Sequence, residues 1–243
     1  MLFNFSRGDF TEHSIGYTGE FEFSKVGRDW MAVFKSSGTL TLRRSITSAD
    51  LCLVAAGMPG KAGVVNSSPN GVGGDGGGKV EATEVTLPAG TYTVTVGVSG
   101  QDTVVEAPDG RSWTAVSGDG KTGGRGNDRD GVLAWGDENT LLNAGWLYCA
   151  GGGSGATHVP GDARQASAPG GSVGAASEDT MVGHGGGIGT NAEEHQQGWD
   201  GCAGTGQGGG GGRYWNNQGW QGRDGGAGGS GAFLLRSHKE VAS

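Results

Sequence analysis

The segment GVGGDGGGKV, residues 71–80, comes within one residue of a phosphate-binding loop. Gly73, four intervening residues, Gly78 and Lys79 fit the pattern in which glycine N–H groups cradle phosphates and a lysine reaches the outer ones. The next residue is Val80, so the magnesium-binding hydroxyl is missing. The following residues read as a strand, not as a helix whose N-terminus could hold an anion. Gly170, Ser172 and Gly174 match the spacing of a nucleophile elbow, but no apolar strand precedes them and no helix follows. GGRGNDRDG, residues 123–131, resembles one calcium-binding nonapeptide turn with Asp128 as ligand. Asp130 fills the slot that should be apolar, and no second copy stacks beside it. His13, His158, His184, His195 and His238 show no zinc spacing, and no paired carboxylates stand out as a glycosidase acid and base. The chain is therefore expected to be no enzyme, with no catalytic residue, no metal and no cofactor.

One cluster does suggest chemistry. Trp199, Tyr214, Trp215 and Trp220 lie between glycine runs, with Asn216, Asn217 and Gln218 beside them. Aromatic rings stack on the apolar faces of sugars or proteins, and amides bond their polar groups. Trp199, Tyr214, Trp215, Asn216, Asn217 and Trp220 are thus candidate receptor-binding residues. The competing use is structural: the same rings could cap the glycine runs and shield their ends.

Positioning such residues is a problem in itself. The chain has 243 residues, of which 55 are glycine, and about two thirds of those fall after residue 117. Such a composition commonly means disorder. Five of the seven tryptophans also fall after residue 117, however, and disordered linkers lack large apolar groups. Net charge is −8 without a basic tract, which argues against nucleic acid as a partner. No run of about 18 apolar residues is long enough to insert in a membrane. MLFNFSRGDF lacks the pattern of a secretory signal, and Cys52, Cys149 and Cys202 are too few and too scattered for a disulfide framework. Buried free thiols are expected.

The elements that remain are strands. YTGEFEF, DWMAVFK and GTLTLRR alternate or run apolar between turn residues, and ADLCLVAAG is dense enough for a central strand. Two alternating runs flank LPAG, and TVVEAPDGRSWTAV reads as a hairpin turning at Pro108-Asp109-Gly110. The apolar run LCLVAAG feeds directly into small residues, and the glycines of GGAGGSG lead back into AFLLR. A floppy tail would not return to a core strand, so AFLLR is expected to pair near LCLVAAG and close the domain.

Ordering glycine is costly and buries no side chain. Extended helices with three residues per turn solve this when packed side by side, because no Cβ keeps their backbones from bonding to each other. Rods are expected at 150–156, 169–176, 183–190, 201–212 and 222–231, with loops at 157–168, 177–182, 191–200 and 213–221. The expected fold is all-β: an antiparallel β-sandwich, a jelly roll being one form, with an embedded polyglycine II helical bundle. Residues 1–16 form an attachment arm. Residues 17–117 form the sandwich module, with a glycine-rich excursion at 56–79. Residues 118–236 form a glycine-rich domain closed by a strand at 232–236, and 237–243 form a tail.

The succession YTGEFEF, WMAVFKSSGTLTL, ADLCLVAAGMPG, VTLPAGTYTVTVG and GGAGGSGAFLLR resembles glycine-rich proteins of bacteriophage and prophage tail gene clusters. In that family an LPAGTYTVTVG hairpin follows the apolar strand that enters the glycines. More distantly the chain is similar to the glycine-rich domain of anaplastic lymphoma kinase receptors and to tail-fibre adhesins that bind receptors with loops at the tip of a polyglycine stack. The resemblance implies a virion tail protein assembled in the host cytoplasm: a distal adhesin for a bacterial surface glycan or protein, or else a virion structural or decoration protein that binds no receptor. It implies other tail or baseplate proteins as partners through the arm. It also implies a homo-oligomer, commonly a trimer among fibre proteins, although no heptad supports a coiled coil.

Overall fold

The computed structural model describes residues 12–26, 29–62, 73–118, 200–201, 203–209 and 224–237, and the backbone of four short strands between 132 and 222. It is an all-β, antiparallel sandwich of two five-stranded sheets. One sheet runs β1 (Ile15–Tyr17), β4 (Gly38–Leu42), β7 (Gly90–Thr95), β8 (Thr103–Glu106), β9 (Ser112–Ala115). The other runs β2 (Phe21–Val26), β3 (Asp29–Phe34), β14 (Ala232–Ser237), β5 (Ile46–Val54), β6 (Lys79–Leu87). Two isolated strand pairs lie outside these sheets: β10 (Val132–Leu133) with β11 (Tyr148–Cys149), and β12 (Tyr214–Trp215) with β13 (Gln221–Gly222). The first sheet already starts at Ile15, whose side chain is buried.

Alternation fixes the core. Leu40, Leu42, Tyr92, Val94 and Val105 point inward from the first sheet, and Trp30, Phe34, Leu51, Leu53, Phe233 and Leu235 from the second. Phe34 stacks on Phe233 at 4.9 Å between ring centres, and Tyr17 meets Phe34 edge-on. The central strands of the second sheet are buried on their other face too, at Met31, Val33, Cys52 and Leu234. This explains why LCLV and FLL are continuous apolar runs and do not alternate. Cys52 is buried and takes no part in a disulfide.

The last strand is central rather than peripheral. Phe233 pairs with Phe34 on one side and Leu53 on the other, so AFLLR inserts between two strands from the first quarter of the chain. A charge pair holds this register. Arg236 Nε donates to Asp50 Oδ2 at 2.9 Å, and Asp50, fully buried, also accepts the Glu84 N–H at 3.1 Å. Asp50 sits where the β5–β6 pairing slips twice, and Glu84 has a positive φ of 56° on the bulged strand.

The expected LPAG hairpin is corrected by the structure. β6 belongs to one sheet and β7 to the other, so LPAG is a corner at which the chain crosses the sandwich. Gly90 takes the positive φ of the corner, 148°, and Pro108 of the neighbouring hairpin packs against it. Tyr92, four residues after Pro88, donates its hydroxyl to the Pro88 carbonyl at 2.8 Å and ties the corner down.

Burial pushes the Tyr92 phenol up to about 12, with Asp109 adding and Arg111 opposing; burial alone pushes Tyr17 up to about 12. An unfolded phenol ionises near 10. The stability gained by keeping these phenols neutral is whole below pH ~10 and is lost as pH rises through about 12. Tyr92→Phe should cost about 1 kcal/mol at neutral pH, because the Pro88 carbonyl loses its donor. It should also flatten the alkaline loss measured by chemical unfolding between pH 9 and 12.

Candidate functional site

At one end of the sandwich the strands run straight into glycine. β5 continues into 55–60, β6 is preceded by 73–78, and β14 is preceded by 224–231; residues 200–201 and 203–209 lie among them. Backbone hydrogen bonds lace these segments together. Ala55 N–H donates to Gly78 O and Met58 N–H to Asp75 O, a step of three on each segment in opposite directions. Gly57 N–H donates to Gly229 O and Gly60 N–H to Gly226 O, and Gly74 N–H donates to Gly209 O and Gly77 N–H to Gly206 O, with the same step of three. The intervening donor, Ala56 N–H, goes to Gln101 O in the 97–103 connection. Residues 55–57 thus bond in turn to three different neighbours, and two of the three contacts recur three residues on, at Met58 and Gly60; Pro59 has no N–H to repeat the Ala56 bond. A β-ladder repeats every second residue and has only two neighbours. A chain with three residues per turn has donors pointing three ways.

Close approach explains the composition. A Cβ at Gly228 would overlap the Gly57 carbonyl, one at Gly57 the Gln207 carbonyl, and one at Gly209 the Gly226 carbonyl. Side chains secure the rim. Ser117 Oγ donates to Ala56 O, Asp102 Oδ1 accepts Ser117 N–H, Ser99 Oγ accepts Gly228 N–H, Ser230 Oγ accepts Gly204 N–H and Asp200 Oδ1 accepts Ala227 N–H, all at 2.6 to 3.0 Å. None of these five residues was singled out in the sequence. Short polar residues next to glycine were the available signal, but such residues are everywhere in this chain.

The lattice gives the molecule two unlike ends. Ala55 with Gly78, and Gly231 with Gly97, mark the side next to the sheets. Gly60 with Gly226, and Gly74 with Gly209, mark the remote side. Gly118 abuts the Met58 side chain, Gly201 N–H bonds Ala227 O, and Gly225 abuts Gly60. β1 begins and β14 ends at the opposite end. Ile15 pairs with Leu42, whose other neighbour is the corner Gly90, and β14 runs from Ala232 beside Val54 to Ser237 beside Ala49.

Of the candidate binding residues, Tyr214 and Trp215 form a short strand, with Tyr214 opposite Gly222 and Trp215 opposite Gln221. Trp199, Asn216, Asn217 and Trp220 lie outside the described residues, as do the expected rods at 150–156, 169–176 and 183–190. Gly209 lies beside Gly74, and Gly225 beside Gly60. Among the described residues no group of three or more His, Cys, Asp or Glu side chains could hold a metal ion, and no helix is long and apolar enough to cross a membrane. Comparison with protein-family models, with curated proteins and with solved structures finds no match for this chain.

Proposed function

We propose that this chain is a non-enzymatic bacteriophage tail component: a distal adhesin that recognises a bacterial surface molecule. The glycine segments are the described part of a polyglycine II bundle, and the bundle serves as a pedestal. The observation that best supports this reading is that the glycine segments are laced together by backbone hydrogen bonds at one end of the sandwich, while β1 begins and β14 ends at the other. A protein that is held at one end and recognises at the other needs that polarity, and a rigid backbone lattice limits the ordering cost of binding. In this reading Trp199, Tyr214, Trp215 and Trp220 supply stacking surface, and Asn216 and Asn217 bond polar groups of the ligand.

The test is adsorption. Purified chain should compete with the parent phage for host cells in a dose-dependent way. Trp215→Ala and Trp220→Ala should each weaken competition roughly tenfold or more, the loss typical of a buried aromatic anchor, with unchanged thermal unfolding. Folded protein that never reduces adsorption would leave the chain as a structural or decoration protein.

A further inference from the structure

Of the dipeptides that begin with aspartate, Asp-Gly rearranges most readily without an enzyme, because no side chain hinders the glycine nitrogen. The described residues contain four such steps: Asp75–Gly76, Asp109–Gly110, Asp200–Gly201 and Asp224–Gly225. The reaction needs only the chain and water. The glycine nitrogen attacks the side-chain carbonyl carbon of the aspartate. Its proton and the carboxyl hydroxyl leave together as water, and a cyclic imide closes. Water then reopens the imide. Opening at the main-chain carbonyl leaves the backbone running through the former side chain, with an extra methylene in it and a free carboxylate beside it.

To react, the carboxyl and the glycine nitrogen must turn toward each other, and hydrogen bonds oppose that turn at three of the steps. Asp200 Oδ1 accepts Ala227 N–H at 2.6 Å while Gly201 N–H donates to Ala227 O at 2.8 Å, so one lattice residue holds both reacting groups. Arg111 clasps the Asp109 carboxylate, with Nε at 2.8 Å and Nη2 at 2.6 Å, and Gly110 N–H donates to Ala107 O at 3.1 Å. That guanidinium also holds the carboxyl below the usual carboxylate range, in the anionic form that is the poorer acyl acceptor. Asp75 O accepts Met58 N–H at 2.8 Å, which fixes the peptide joining it to Gly76. Asp224 has none of these ties. It is exposed, and among the described residues no hydrogen bond or ion pair holds its carboxylate, its carbonyl or the Gly225 N–H.

We infer that Asp224 is a modification site, converting spontaneously to isoaspartate while the fold holds the other three described steps in check. The product is a substrate for enzymes that methylate isoaspartyl carboxylates. Its place gives the change a consequence. Gly225 abuts Gly60, and Gly60 N–H donates to Gly226 O at 2.8 Å, so the added methylene enters the backbone directly before a lattice contact. The Gly60–Gly226 bond is the first that the lengthened chain disturbs. None of this depends on what the chain binds.

The experiment ages the full chain at neutral pH, folded and in guanidinium chloride, and locates isoaspartate by enzymatic methylation and peptide mass spectrometry. In the folded chain isoaspartate should appear first at 224 and accumulate there at least about tenfold faster than at 200, where two hydrogen bonds must open before reaction. In denaturant the ties are gone, and 75, 109, 200 and 224 should react at similar rates. Asp224→Glu should lose the signal at 224, because the longer side chain closes an imide far more slowly, and should keep the thermal midpoint of the wild type. Amide exchange at Gly60 should quicken in the aged folded chain in step with conversion at 224, and should not change in aged Asp224→Glu. A folded chain in which 224 reacts no faster than 200 would overturn the site. So would the same ranking of the four steps in denaturant, since local sequence and not the fold would then set the rates. Unchanged exchange at Gly60 in fully converted protein would overturn the effect on the lattice.

Discussion

Gly228→Ala should destabilise the chain by about 3 kcal/mol or more, the cost of overpacking where no side chain can move aside. Its new methyl would occupy the space of the Gly57 carbonyl, and the obstacle is backbone on a segment itself bonded to Gly229 and Gly226. Relaxation would have to break lattice bonds on both segments. For a domain of this size the thermal midpoint should fall by roughly 6–12 °C or more. Gly57→Ala should behave alike, because it drives a methyl into the Gln207 carbonyl. Gly16→Ala is the control. It lies in a strand, where the added methyl would meet the Thr41 Cβ at an ordinary 3.6 Å. It should change stability by no more than about 0.5 kcal/mol. The sign is informative as well as the size. In a flexible tether, glycine to alanine is neutral or stabilises by up to about 1 kcal/mol, since it removes freedom from the unfolded chain. Thermal unfolding of the three variants distinguishes a lattice from a tether.

Arg236→Met should cost about 3 kcal/mol, the lower end of what breaking a buried pair costs, since Arg236 keeps some solvent contact. The damage comes from what is left behind: Asp50 is fully buried and would keep its charge without the guanidinium that faces it. Replacing both residues, as Asp50→Asn with Arg236→Met, should recover part of the loss, because the stranded charge is gone and an amide oxygen can still accept the Glu84 N–H. Denaturant unfolding of the single and double variants gives the coupling directly. If the double variant is the sum of the singles, the pair does not fix the last strand in its place.

The sheets were largely legible in the sequence because burial leaves a period. GTLTL and TYTVT alternate and have one buried face, while LCLV and AFLLR do not alternate and are buried on both. The pairing of AFLLR with LCLVAAG follows from that density, since only a central strand needs it. Two features were not legible. Alternation says which face of a strand is buried but not which sheet it joins, so LPAG read as a hairpin although it is a corner. The Asp50–Arg236 pair joins residues 186 positions apart, and nothing in the local sequence links them. That glycine segments bond to one another through their backbones was legible, but not which segments meet. Rods were expected at 201–212 and 222–231, but AAGMPG and 73–78, set aside as an excursion, bond to them with the same period of three. Met58 interrupts the glycine pattern without interrupting the backbone bonds, because it still donates to Asp75 O and accepts from Gly209 N–H, while Pro59 has no N–H to donate. Side chains pointing out of a lattice leave no gap in it.

Amide hydrogen exchange at individual glycines tests the lattice most directly. Gly57, Gly60, Gly74, Gly77, Gly209 and Gly229 each donate to a backbone carbonyl of another segment. Their exchange should be slowed by at least about a thousandfold relative to an unfolded peptide, and should approach that of the central strands as the segments open only with the fold. Exchange of these six at the unfolded rate, beside a protected sandwich, would mean that the glycine segments are tethers and that no pedestal exists.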